Sequence, residues 1–184
     1  VRAQDAEAKG DGKNAGKGLV LYGRSWVSSK EAQPLREADR KAVGWDLESR
    51  LDTLHFVMYS GRPLPFTRRV AACLESQFGA YVRHHRAFWK LQEDPETIKV
   101  YLFGDRATFE KVGKPVLPTL TLTNMGFYDG NTKILYIGCN GTPQAVNQDD
   151  AILSNAAHEL THASDHLLAG IPGSDRTWMT EGRA

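Results

Sequence analysis

Cysteine is scarce in this sequence: the chain holds two, Cys73 and Cys139. They have no C-x-x-C spacing and so build no thiolate metal site, and pairing in an oxidising compartment and burial as free thiols both stay open. No run of roughly 18 apolar residues occurs anywhere, so nothing in the sequence reads as a membrane span. An excess of one charge is also missing. With 23 basic against 22 acidic residues, the balance argues against a protein built mainly to hold nucleic acid or an anionic membrane surface. Residues 1–18 lack aromatic and β-branched residues beyond Val1 and hold four glycines and three lysines. Such a stretch buries too little apolar surface to offset its ordering entropy and reads as a flexible tail or linker. Lys and Arg are absent from Ile134 to Asp175, where Asp149, Asp150, Glu159, Asp165 and Asp175 lie. A divalent cation would meet a favourable field there. No leader peptide is legible. The chain begins at Val1, which leaves the compartment open, with an extracytoplasmic or secreted setting favoured.

What is present has the length and apolar content of one domain with a small appendage. Residues 19–53 form that appendage: a short strand, Leu19–Tyr22, then a charged helix near Lys30–Ala42. From Leu54 the pattern becomes that of an α/β (α+β) domain, with a small mixed sheet packed on two helices. Leu54–Ser60 reads as a strand bounded by Gly61 and Pro63, and Phe66–Trp89 as a long helix with Val70, Leu74, Phe78, Tyr81 and Val82 at helical spacing. Ile98–Phe103 is apolar on both faces and suits a central strand. A short helix over Arg106–Val112 follows, and then a strand over Lys133–Gly138 entered through the turn Asp129-Gly130-Asn131. The last helix is capped by Asp149 or Asp150 and runs to about Leu168, before Gly170 and Pro172. Ile152, Ala156, Leu160, Ala163 and Leu167 form its apolar stripe, and Asn155, His158, His162 and His166 recur on another face.

That second face carries the chemistry. The run His158-Glu159-Leu160-Thr161-His162 places two imidazoles one helical turn apart, with Cβ atoms roughly 5–6 Å from each other. Both rings can reach one zinc ion at about 2.0–2.1 Å. Glu159 lies beside them as a general base for a water whose pKa zinc lowers from about 15.7 to near 7. Two histidines leave a catalytic zinc one protein ligand short. A metzincin would need His at position 168, which is Leu168. Glu181, in the run Trp178-Met179-Thr180-Glu181-Gly182-Arg183-Ala184, lies 19 residues after His162.

The HELTH run, the 18-residue gap and the W-x-x-E-G-x-A context resemble the zinc signature of gluzincin metallopeptidases, including the M1-type aminopeptidases. HELTHA is also similar to thermolysin-like peptidases. The close match covers residues 158–184, and element order from Leu54 onward extends it towards uncharacterised bacterial peptidases of that clan. The resemblance implies a zincin-like fold over residues 54–184, with an edge strand above the HExxH helix and a second long packing helix. It implies Zn2+ held by His158, His162 and Glu181, Glu159 as general base and acid, and a peptide or protein as substrate. Gluzincins draw their oxyanion donor from later sequence. With Ala184 three residues past Glu181, the domain is expected to be truncated at its C-terminus and weak in zinc retention and turnover. The alternative is a zinc-binding but catalytically inactive peptidase-like interaction module.

Several residues carry two readings. Gly126-Phe127-Tyr128 resembles the edge strand of the clan, along which an extended substrate adds by backbone pairing; otherwise it is an ordinary hairpin with Phe127 in the core. Asp165 is either a carboxylate that orients a ligand imidazole or a surface residue. His166 caps or solvates the helix end, or contacts metal or substrate. His84 and His85 are neighbours that point apart, and read as surface. Cys73 borders the apolar stripe of its helix and reads as core. The basic stretch from Gly61 to Lys90 reads as a solvated helix face. His55 has no partner that the sequence identifies.

Overall fold

The order of apolar residues along three short strands sets the architecture. A computed structural model describes residues 14, 17–88, 90–91, 97–121, 125–138 and 148–170. Cys139 and nearly all of the 1–18 tail lie outside them. Strands β1 (Leu19–Tyr22) and β2 (Ser25–Ser28) form a hairpin, followed by helix α1 (Ser29–Val43), β3 (Ser49–Asp52), β4 (Phe56–Ser60) and helix α2 (Leu64–His85). Then come β5 (Ile98–Leu102), helix α3 (Arg106–Gly113), β6 (Gly126–Asp129), β7 (Ile134–Ile137) and helix α4 (Gln148–Leu167). β3 to β7 make one five-stranded sheet in the order β3-β4-β5-β7-β6. The inner pairs β4–β5 and β5–β7 are parallel, and the outer pairs β3–β4 and β6–β7 are antiparallel. The protein is thus mixed α/β, and β5 is its central strand, as expected, although Lys99 on its second face is exposed.

Alternation sorts the sheet residues between two cores. Phe56 and Met58 of β4, Ile98, Val100 and Leu102 of β5, and Leu135 and Ile137 of β7 turn to one face. There they meet Val70, Leu74 and Phe78 of α2 and Ile152, Ala156, Leu160 and Ala163 of α4. Tyr101, Tyr136 and Phe127 turn to the opposite face and pack with Phe109 of α3 and with Trp45 and Phe103. The metal-motif helix therefore lies against the sheet beside α2, as the apolar stripe requires.

Local signals place most element ends. Ser28 and Glu31 form a capping box at the start of α1, and Gly44, at φ 79°, ends it in the left-handed conformation. Asp105 accepts from the Thr108 N–H and caps α3. Asp149 and Asp150 differ from expectation: α4 begins at Gln148, so both lie inside its first turn and not at its cap. Asp149 instead takes Arg62 at 2.9 Å and Arg69 at 3.2 Å, which draws two cations of the basic stretch onto the start of α4. Acids in a first turn also meet the positive end of the helix dipole. β2 and β3 are the strands the sequence pattern does not reveal. At four residues each, with exposed or half-buried polar positions, they carry little periodic signal. β3 belongs to the main sheet, so the sheet takes strands from both sides of residue 53. The hairpin β1–β2 laps the outer edge of β3 through Gly23, whose N–H donates to the Arg50 carbonyl at 2.9 Å. An open edge is thereby partly covered.

Candidate metal centre

Helix α4 puts His158 and His162 on one side, one turn apart, both half-buried. Their Nε2 atoms converge to 3.2 Å. Two nitrogens held at 2.0–2.1 Å by one tetrahedral ion stand about 3.3–3.4 Å apart, so this pair already has the bite that zinc needs. The same distance also suits an N–H···N hydrogen bond between the two rings, which holds them in that convergent pose. Glu159 is 8% exposed and lies on the side of the helix that meets β6. A Cβ at Gly126 would stand 3.3 Å from its Cγ, 2.3 Å from Asn155 Nδ2 and 2.6 Å from the Tyr136 carbonyl oxygen. The first residue of the edge strand is thus pressed onto the candidate base, and only glycine fits. Asn155 lies one turn before Glu159 on the same helix, and its Nδ2 is buried with no acceptor among the described residues.

The rest of the helix face is also occupied. Tyr128 of β6 brings its hydroxyl to 3.0 Å from His166 Nδ1. Burial, reinforced by the charge of Asp129, pushes the Tyr128 phenol up to about 12, so it stays protonated at neutral pH. The hairpin reading holds for the Gly126–Tyr128 segment: β6 pairs antiparallel with β7 at one edge of the sheet, and Phe127 is core, stacked on Tyr136 at 4.5 Å. Asp165 is no surface residue. It is 1% exposed and accepts from the Tyr81 hydroxyl of α2 at 2.5 Å. His166 does not simply solvate the helix end, since Tyr128 holds it.

Other expected residues stand apart from this site. His55 does have a partner: Glu75 accepts from its backbone N–H at 2.9 Å and lies 2.6 Å from its Nδ1. Twenty residues separate the two along the chain, and no local pattern links a strand start to mid-helix, so sequence reading offers no signal. His84 and His85 do not point apart: their ring centroids lie 4.8 Å from each other, edge to face, with His84 exposed and the His85 ring tilted against Tyr81 at 4.3 Å. Cys73 is a half-buried thiol, 3.8 Å from the Leu153 carbonyl between α2 and α4, and burial pushes its pKa up. Among the described residues no third His, Cys, Asp or Glu joins His158 and His162 in a ligand cluster. Glu181, the expected third ligand, lies outside the described residues. What sequence reasoning missed was the contact of Gly126 with Glu159. Its one legible sign is a glycine opening a strand just before two aromatics, Phe127 and Tyr128.

No family model matches the chain, and no match is found among curated proteins or solved structures.

Proposed function

We propose that the protein is a zinc metallopeptidase of gluzincin type on a zincin-like fold. The reading assigns His158, His162 and Glu181 as zinc ligands and Glu159 as the general base. The observation that carries it is the 3.2 Å approach of the two Nε2 atoms on one helix turn, with Glu159 beside them. The position of β6 adds support, because an edge strand lies directly over that glutamate.

Zinc, when bound, supplies an acidified water and polarises a carbonyl group. The protein's own residues do the rest. Glu159 takes the proton of the attacking water and returns it to the leaving nitrogen, as a C–O bond forms and the peptide C–N bond breaks. The near-complete burial of Glu159 keeps bulk water from competing for that proton. The outer edge of β6 carries no strand among the described residues, so a peptide or protein substrate adds there by backbone hydrogen bonding.

The test combines metal and base. Zinc-loaded protein should hydrolyse members of a peptide library, and a chelator should stop it. Glu159→Gln should retain about one zinc per chain while hydrolysis falls by roughly 10²-fold or more, because the amide accepts no proton. Loss of zinc in that variant would show that Glu159 is a ligand instead. Zinc binding with no hydrolysis by the native protein would leave the inactive interaction module as the reading.

A further inference from the structure

The face of α4 beyond the metal motif holds a second polar pair, and β6 shows where it lies relative to a bound peptide. Gly126 packs on Asn155 and Glu159, and Gly130, just past the strand, lies 3.4 Å from the His166 ring as measured from its Cβ position. A strand rises about 3.3 Å per residue and a helix 1.5 Å, so the four residue steps from Gly126 to Gly130 advance ~13 Å beside ~10.5 Å for the seven helix steps from Glu159 to His166. β6 therefore keeps pace with α4 from the base to His166. Tyr128 shares its strand face with Gly126, two residues on. Its ring lies 5.7 Å from that of His166, and the hydroxyl meets Nδ1 at 3.0 Å.

The hydrogen count of this pair does not depend on the tautomer. If the phenol donates to Nδ1, then Nε2 carries the imidazole N–H. If Nδ1–H donates to the phenol oxygen, the phenolic O–H is released. Either way one donor remains beyond the pair, beside an aromatic wall. A peptide strand paired with β6 would set the side chain opposite Tyr128 within about 4.5–5.5 Å, Cβ to Cβ, two residues from the one opposite Gly126 and the base.

We propose that Tyr128 and His166 determine substrate specificity, selecting a side chain that carries a carbonyl or carboxylate oxygen two residues from the cleaved bond. This rests on the peptidase reading above. The test uses alanine-based peptides with a single Gln, Glu or Leu scanned through every position. Cleavage by the zinc-loaded protein is measured together with binding to zinc-loaded Glu159→Gln. Gln or Glu should exceed Leu by about tenfold in kcat/KM and in affinity, at one position only, two residues from the cut. A preference for Gln alone identifies an amide, and one for Glu a carboxylate. Its place N-terminal to the cut means a peptide antiparallel to β6, and C-terminal a parallel one. Tyr128→Phe with His166→Leu should erase the preference, and Tyr128→Phe or His166→Asn alone should reduce it. No preference, a preference elsewhere, or one that survives the double change overturns the proposal while the peptidase reading stands. Failure of zinc-loaded native protein to bind or cleave any peptide removes both.

Discussion

Asp165 shows how a single residue is fixed by its surroundings. A carboxylate at 1% exposure carries a desolvation cost of several kcal/mol unless hydrogen bonds offset it. The Tyr81 hydroxyl is one such donor, at 2.5 Å, and it crosses from α2 to α4 one turn past the metal motif. Tyr81→Phe keeps the ring and deletes the donor. It should cost about 1.5–3 kcal/mol, the range for hydrogen bonds to charged groups, read as a lower urea midpoint with an unchanged slope. A loss under about half a kcal/mol would mean that Asp165 is satisfied without Tyr81. The same logic applies to Gly126, where absence of a side chain is the feature. An Ala Cβ would meet Asn155 Nδ2, which can swing aside, but also the Tyr136 carbonyl, which is backbone and cannot. Gly126→Ala should cost about 1–3 kcal/mol as an overpacked contact. On the proposed peptidase reading it should also slow hydrolysis roughly tenfold with zinc retained, by shifting β6 against Glu159. A variant as stable as the native protein would remove Glu159 from beneath this strand.

At the scale of elements, the contact of α2 with α4 decides where the metal motif sits. Two kinds of interaction hold it. Asp149 pairs with Arg62 and Arg69, but its side chain is 42% exposed, and such pairs contribute about 0–1 kcal/mol. Leu160, inside HELTH and 1% exposed, packs in the core with α2, where truncation to Ala costs about 2–5 kcal/mol. Leu160→Ala should therefore destabilise far more than Asp149→Asn, with the two compared by denaturant melts at equal salt. Equal losses would mean that charge, and not the apolar stripe, docks the helix. Because Leu160 is flanked by Glu159 and Thr161, the motif is at once chemistry on one face and core on the other. That placement explains why a single helix holds both imidazoles in a fixed pose.

For the molecule as a whole, one cross-link ties the sheet to α2 and couples stability to pH. Burial pushes Glu75 up, but hydrogen bonds from Thr53 and His55 outweigh it and hold the carboxyl below its ordinary 4.5. A carboxyl whose folded pKa lies below the unfolded one adds stability that is fully present above the unfolded value. That stability is lost as pH falls through the folded value. Glu75→Gln should lower thermal stability at neutral pH, and the gap from the native protein should close as pH falls below the ordinary 4.5 and through the lowered folded value. A gap that stays constant from pH 7 to pH 3 would assign the effect to packing.

The sequence by itself determined which segments are helices and which are inner strands, because apolar period and capping residues are local and repeat several times per element. Helix α2, β5 and α4 lie close to where the pattern predicts them. It also determined that His158 and His162 share a helix face, since a spacing of four residues admits nothing else in an α-helix. The tertiary structure decided what those residues meet. β2 and β3 have four residues each, and pairing partners define them more than composition does. Asp149 left its expected cap for Arg62, just before α2, and Arg69 within it, Asp165 went inside to meet Tyr81, and His55 found Glu75. Each of these is a choice among distant partners, settled by burial and by the need to satisfy polar groups within it. The closeness of Gly126 to the candidate base has the same origin: a strand and a helix far apart in the chain are brought into contact by a shared core.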